Sequence, residues 1–367
     1  MTAHELPAPS RQALIRALAH FSVPDTRIGL RLFLVDFAVY CVGLWLALFA
    51  TDTSLRVLGA VLVGLKMGGL YTLAHDAAHN SLTASRPLNR VLGIVGYLAS
   101  LHNYRIRLYD HLVIGHHPKL NGPQPDVYRP MSWPEYRSAP AWRKAWERFV
   151  RAPHVFAFAP YGIVSRWLGA EVLPNKAMSA AHRAQAWAYA ALLVAYLAGI
   201  VGWLAHRNAG DPPSLLLDLL LVLGLPFFMF QTTQAAVLFF QHTHPQIPWF
   251  GPGDTQISAF GPEALTVHVR LPKWFSSLIH DICEHPAHHI APTIPCYRLR
   301  EAQALLNDML GRRAIIVPFS PKAMAAIMRR CKVYDYEQHL WLDFQGRPSS
   351  EPIVSAFPTD AQLAEAT

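Results

Sequence analysis

The sequence predicts an all-α integral membrane protein built on four transmembrane helices, and three observations carry that prediction. Hydrophobic residues make up 52% of the 367 positions and charged residues only 15%, less charge than a soluble domain usually holds. Four apolar runs, at about residues 28–50, 55–74, 184–204 and 214–240, each approach or exceed the roughly 20 residues needed to cross a hydrocarbon core. Histidine occurs 19 times, mostly in tight groups that border those runs.

Taken in chain order, residues 1–27 read as a cytosolic N-terminal segment, because the first apolar run begins only near Ile28 and no short apolar core with a small-residue cleavage site precedes it. A few residues around Asp52 join the first two runs, and a short loop containing Asp211, Pro212 and Pro213 joins the last two. Each pair therefore reads as a helical hairpin. Arg11, Arg16, Arg27 and Arg31 precede the first span, and Arg137, Arg143, Lys144, Arg148, Arg151, Arg166 and Arg183 precede the third. The positive-inside rule then places the N-terminus, the middle segment and the C-terminal portion in the cytosol, with every histidine group on that side.

Between the hairpins, Leu88 to Leu101 is apolar but too short to span and suits an interfacial or re-entrant helix. Trp133, Trp142, Trp146 and Trp167 lie among arginines through about residue 183, a pattern of further interfacial helices. No Gly/Ser linker or internal repeat divides residues 28–310, which read as one membrane unit, and residues 311–367 form a cytosolic tail that helps to cap it. Asp36 and Lys66 fall inside spans at similar depth, where each is costly alone, so they are expected to pair.

The net charge of +8 suits anionic lipid or an acidic partner, and because the arginines flank apolar spans, nucleic acid is not implied. Cys41, Cys283, Cys296 and Cys331 show no paired metal or redox spacing, and no disulfide framework is expected.

The chemistry lies in the histidine spacing. His75 and His79, four apart at the cytosolic end of the second span, project from one helical face. His285, His288 and His289 form an i, i+3, i+4 set that is hard to explain as packing. His111, His116 and His117 are less regular, and a regular α-helix turns those rings apart unless a π-bulge intervenes. His102 is a possible substitute there. His242 and His244 flank a single threonine, and either can supply one further imidazole. Neutral imidazole is the commonest metal ligand, so clusters beside membrane spans indicate a metal centre held against the bilayer. Asp76, Asp110, Asp126, Asp281 and Glu284 lie close enough in sequence to orient those rings.

With Gln241-His242-Thr243-His244-Pro245 and His285-Pro286-Ala287-His288-His289 in place, the chain resembles the integral-membrane fatty acid desaturase superfamily, most closely its delta-12-type acyl-lipid members. The resemblance runs from about residue 30 to 310. Two departures stand out: the second box has two extra residues between its first histidines, and the first box ends in Asn80 where many relatives have another histidine. The resemblance implies a non-haem di-iron site on the cytosolic cap, with two Fe ions (Fe2+/Fe3+) and O2 as co-substrate. Its implied catalytic and metal-binding residues are His75, His79, His111, His116, His117, His242, His285, His288 and His289, with His244 the alternative to His242.

The implied activity is desaturation of a fatty acyl chain that is free, thioester-bound or lipid-bound. The alternative is a di-iron hydroxylase, acetylenase or oxidative decarboxylase forming a terminal alkene. A transporter or structural metal-binding protein, by contrast, would give neither oxygen dependence nor a lipid product. The sequence carries no haem, flavin, NAD(P) or iron–sulfur motif, so an external electron donor such as a ferredoxin or cytochrome b5-like protein is implied, alongside membrane lipids.

Overall fold

A computed structural model of the protein describes residues 9–109, 111–112, 120–123, 127–174 and 178–353. Its framework is helical: α1 (Arg11–Leu18), α2 (Thr26–Phe49), α3 (Thr53–Ala78), α4 (Arg86–Ala99), α5 (Tyr104–Tyr109), α6 (Trp133–Ser138), α7 (Ala141–Val150), α8 (Ala180–Arg207) and α9 (Pro212–His242). The C-terminal part adds α10 (Lys273–Leu278), α11 (His285–Ile290), α12 (Cys296–Leu310) and α13 (Pro321–Arg330). Helices α2, α3, α8 and α9 are long and apolar enough to cross a membrane, which makes the chain a multi-pass membrane protein.

Each spanning helix begins where a cap dictates. The Asp25 carboxylate accepts from the N–H groups of Arg27 and Ile28, and Asp52 accepts from Leu55 N–H, which satisfies donors that the first helical turn leaves open. Helices α2 and α3 pack closely because glycine lets their backbones meet: a Cβ on Gly59 would lie 2.6 Å from both Gly43 O and Ala47 N. Their outer faces remain apolar and exposed, at Leu34, Val35, Val42, Trp45 and Phe49 on α2 and at Leu55, Val57 and Leu58 on α3, as lipid contact requires.

The short apolar segment forms α4, capped by Ser85 and laid across α3, where a Cβ on Gly96 would meet Leu70 O at 2.8 Å. The arginine-rich middle segment contains α7, which exposes Trp142, followed by a π-helical stretch at Tyr161–Glu171. Asp36 and Lys66 do pair, with Lys66 Nζ 2.5 Å from Asp36 Oδ1.

Two small sheets qualify the all-α expectation. β1 (His268–Arg270) pairs in parallel with β2 (Ile316–Pro318), and β3 (Val333–Asp335) pairs antiparallel with β4 (Leu340–Leu342). Three-residue strands carry too little alternation to be read from sequence. The first sheet ties residues 316–318 onto the segment that leads to the last histidine group, while the second bridges to Ser132 through Tyr334. One buried core lies between α1, the inner halves of α2 to α4, and α12, while a second lies between α9, β1, β2 and α13. The histidines sit where these two cores adjoin.

Candidate metal centre

Seven of the nine sequence-predicted ligands fall in the described residues, and all seven converge in two buried groups. His75, His79, His111 and His288 form one, and His242, His285 and His289 form the other, with the potential ligand atoms of each group within 4.8 Å of one another. His116 and His117 lie outside the described residues, as do Asp110 and Asp126.

The placement follows from local structure. His75 is on the last turn of α3 and His79 is its C-cap, so four-residue spacing brings their rings together edge to face, with centroids 4.7 Å apart. His111 belongs to a short π-helical turn, and its ring centroid is 4.5 Å from that of His75.

The one-and-a-half-turn helix α11 supplies the third set and divides it. His288 turns toward the first group, 4.7 Å from the His75 ring centroid, whereas His285 and His289 turn toward His242, at 4.7 and 5.4 Å. The i, i+3, i+4 spacing does not put all three imidazoles in one group. The helix stands between the two groups and feeds both.

The donor geometry fits a cation. His75 Nε2 lies 2.7 Å from His111 Nε2, while His285 Nε2 lies 2.8 Å from His242 Nε2 and 2.9 Å from His289 Nε2. A single ring nitrogen either donates one proton or offers one lone pair. It therefore cannot satisfy two facing nitrogens at once, and a shared positive ion resolves the arrangement.

Neighbouring groups fix these rings. Asp76 Oδ1 is 3.3 Å from His75 Nδ1, and Asp76 Oδ2 accepts from Cys296 N–H at 2.6 Å, so one carboxylate joins the first histidine box to the exit from the third. Gln303 accepts from Ala287 N–H at 2.9 Å, and Gln241 donates to Ile282 O at 2.8 Å. Glu284 turns instead to His268 Nε2, at 2.7 Å. Asp281 accepts from Ser276 and Arg300.

Two further histidines named from the sequence lie outside both groups. His102 uses both ring nitrogens elsewhere, on Ser100 O at 2.7 Å and Glu171 Oε2 at 3.0 Å, and it joins neither group. His244 also lies outside both: the chain turns extended at Thr243, and His244 faces a separate cavity. Burial and the nearby Arg330 push its pKa down to about 3, so its ring is neutral at ordinary pH.

Sequence reasoning passed over a buried charge cluster. Glu171 accepts from Arg107 at 2.7 Å and Arg166 at 2.9 Å, besides His102. Burial alone raises a carboxyl pKa, yet the two guanidiniums and His102 hold this one well below the usual carboxylate range. His102 also lies against Tyr71, ring centroids 5.1 Å apart, one helical turn before His75.

Residues 52–319 match the fatty acid desaturase family model. The chain is 27% identical over 348 residues to the chloroplastic omega-6 fatty acid desaturase of Arabidopsis thaliana, covering 91% of this chain and 71% of that protein. It is 29% identical over 293 residues to the sn-1 oleoyl-lipid 12-desaturase of a Picosynechococcus strain, covering 77% and 78%. It is also 26% identical to the sn-1 acyl-lipid omega-3 desaturase (ferredoxin) of a Synechocystis strain, covering 68% and 66%.

Proposed function

Because the chain belongs to the fatty acid desaturase family and is on that ground an oxidoreductase that desaturates fatty acids, we propose that its two histidine groups hold a pair of irons and that its acyl substrate is carried in a membrane lipid. The observation that carries the metal reading is the convergence of buried imidazoles from α3, the turn at His111, the end of α9 and α11. His75, His79, His111 and His288 would hold one iron, and His242, His285 and His289 the other, with His116 and His117 assigned by motif. Iron bound there, cycling between Fe2+ and Fe3+, supplies the reduction of dioxygen that removes hydrogen from an unactivated acyl C–H bond.

The protein's own groups prepare that chemistry. Asp76 accepts the Nδ1 proton of His75 and leaves its Nε2 lone pair facing the group. Gln241 and Gln303 hold the α9 end and α11 in register.

An apolar cavity of about 350 Å³ lies between α9 and α13, with Thr232, Ala236, Phe240, Cys283, Met324 and Met328 in its wall. Phe240 and Cys283 each precede a group-two histidine by two residues. Thr232 and Thr233 give their hydroxyl protons to carbonyls of their own helix, so the wall presents methyl groups and suits a methylene chain. A chain lying there reaches the metal groups from the membrane side.

Turning CH2–CH2 into CH=CH while dioxygen becomes two waters takes two further electrons and two protons. Among the relatives, one is described by its ferredoxin, and a ferredoxin or cytochrome b5-like carrier is the electron donor proposed here. The arginines flanking the spans orient the protein with its N-terminus, histidine groups and C-terminus in the cytosol. In that arrangement two helical hairpins, α2–α3 and α8–α9, carry a cytosolic cap. Of the described residues, 9–27 lead into the catalytic unit of 28–310, and 311–353 close over it.

The test is gas chromatography with mass spectrometry of fatty acids and volatiles from aerobic cells making the protein or its His288→Ala variant. A new double bond only with the intact protein is the expected result, whereas a terminal alkene or hydroxy acid would move the reading to the alternative outcomes.

A further inference from the structure

The second imidazole of the Gln241–Pro245 motif has no part in either metal group, and its surroundings form a site of their own. We propose that the polar cavity of about 490 Å³ bounded by His244, β2 and α13 binds an oxyanion, a phosphate or carboxylate, and receives the charged end of the acyl substrate. The second half of that statement rests on the desaturase reading above; the first does not.

His244 is 6% exposed. Its Nδ1 accepts from Gln246 N–H at 3.2 Å, which leaves the ring proton on Nε2. Among the described residues Nε2 has no hydrogen-bond partner, and the ring lines the cavity. That N–H is open to the cavity and can give its proton to an acceptor that enters it.

The same cavity receives the N-terminus of α13, a ten-residue helix capped by Ser320, whose positive end favours an anion. Lys322 lies on its wall near that end and Arg330 near the other. Arg330 is anchored there, its Nε donating to Ser349 O at 2.8 Å while Ser349 Oγ donates to Arg330 O at 2.6 Å.

Charge on the surrounding chain has one sign. Between Asp308 and Asp335 the sequence holds Arg312, Arg313, Lys322, Arg329, Arg330 and Lys332 and no acidic residue. Among the described residues Glu351 is the only acidic one in the cavity wall. One neutral N–H donor, a helix N-terminus and the Lys322 ammonium are a donor set that recognises phosphate or carboxylate oxygens.

Helix α13 also explains why the site belongs to an amphiphile. Its Met324 and Met328 face the apolar cavity beside α9, while Ala323, Ala326 and Arg330 face the polar one. A single helix thus separates a compartment for methylenes from a compartment for charge, and both lie within a few residues of the second metal group.

The experiment is calorimetric titration of the full-length protein in a neutral detergent with lysophosphatidylglycerol and, separately, with inorganic phosphate. His244→Ala and Lys322→Glu are the variants, and metal per chain is measured in parallel. We expect saturable binding of the lysolipid, weakened about tenfold or more by either substitution, as loss of a charge-assisted hydrogen bond implies, with metal content unchanged. Tighter binding of the lysolipid than of phosphate assigns the site to a lipid headgroup. Equal binding leaves an oxyanion site that takes soluble phosphate and overturns the substrate assignment.

Absence of saturable binding by either probe, or binding indifferent to both substitutions, overturns the site itself. Lys322 is exposed, so Lys322→Glu keeps the test meaningful even if the buried His244→Ala variant folds poorly. Binding is read without turnover, so its outcome is separable from that of the product analysis.

Discussion

His280 Nε2 lies 2.8 Å from Asp36 Oδ2, joining the turn before the last histidine box to the interior of the first spanning helix. Asp36 is shared, since Lys66 holds its other oxygen. His280 and Asp281 have φ of 50° and 55°, a left-handed pair that costs energy in non-glycine residues and persists only when the surroundings enforce it. The link enforces it a few residues before α11, which serves both metal groups.

His280→Ala should therefore lower metal affinity about ten- to hundredfold, the usual effect of losing a group that supports ligands without being one. His280→Gln, which can still donate to Asp36, should recover part of it. Metal analysis after dialysis against graded chelator reads the difference. Equal metal retention in the wild-type and alanine proteins would refute the role.

Gly69→Ala tests the same join from the side of α3. A Cβ there would lie 2.0 Å from Asp36 Oδ2 and 3.3 Å from Leu278 O, so the carboxylate must move. The expected cost is about 1–3 kcal/mol, typical of overpacking, seen as a lower thermal midpoint in detergent. An unchanged midpoint would show that α2 and α3 part without penalty.

The two histidines that flank Thr243 should separate cleanly. His242→Ala removes a member of the second group, and about half the bound metal should be lost together with activity. His244→Ala leaves both groups intact and should keep the wild-type metal content. Inductively coupled plasma mass spectrometry of the two purified variants decides, and the reverse pattern would reassign the ligand.

Glu171→Gln should cost about 3–5 kcal/mol, since it leaves the Arg107 and Arg166 guanidiniums without their buried counter-ion. The sign of its pH dependence follows from a folded-state pKa below the ordinary value of 4.5. The stabilisation is complete above about pH 4.5 and is lost as the pH falls from there toward the depressed value. The gap in thermal midpoint between variant and wild type should thus be constant near neutrality and narrow in acid. A gap that widens in acid would contradict the ion-pair account.

Much of this architecture was legible in the sequence, for identifiable reasons. The four spans are long uninterrupted apolar runs, and His75 and His79 share a face because the run before them fixes the helical period. Asp36 and Lys66 could be paired because they are the two charges deepest within the first two spans, at similar depth. What could not be read depended on long-range position. Whether His288 joins His285 or His75 is set by where the axis of α11 lies between α3 and α9. Local spacing contains no such information. Glu171 meets His102 and Arg107 across 69 and 64 positions, and nothing local marks it as different from a surface acid. His111, by contrast, stands in a short π-helical turn beside His75, and regular helical periodicity does not anticipate such a turn.

The division of the histidines has a consequence for biosynthesis. His75 leaves the ribosome with the second span, while His288 emerges only after the fourth span and the turn pinned by Asp36. Neither metal group is complete until nearly the whole chain has been made, so the first box waits in the membrane with its imidazoles unsatisfied while the two later spans are inserted. A chain truncated before residue 285 retains four membrane helices and neither whole metal group. Metal loading should therefore be a late, post-insertion step, and a metal-dependent gain in protease resistance should appear only in chains that have passed α11.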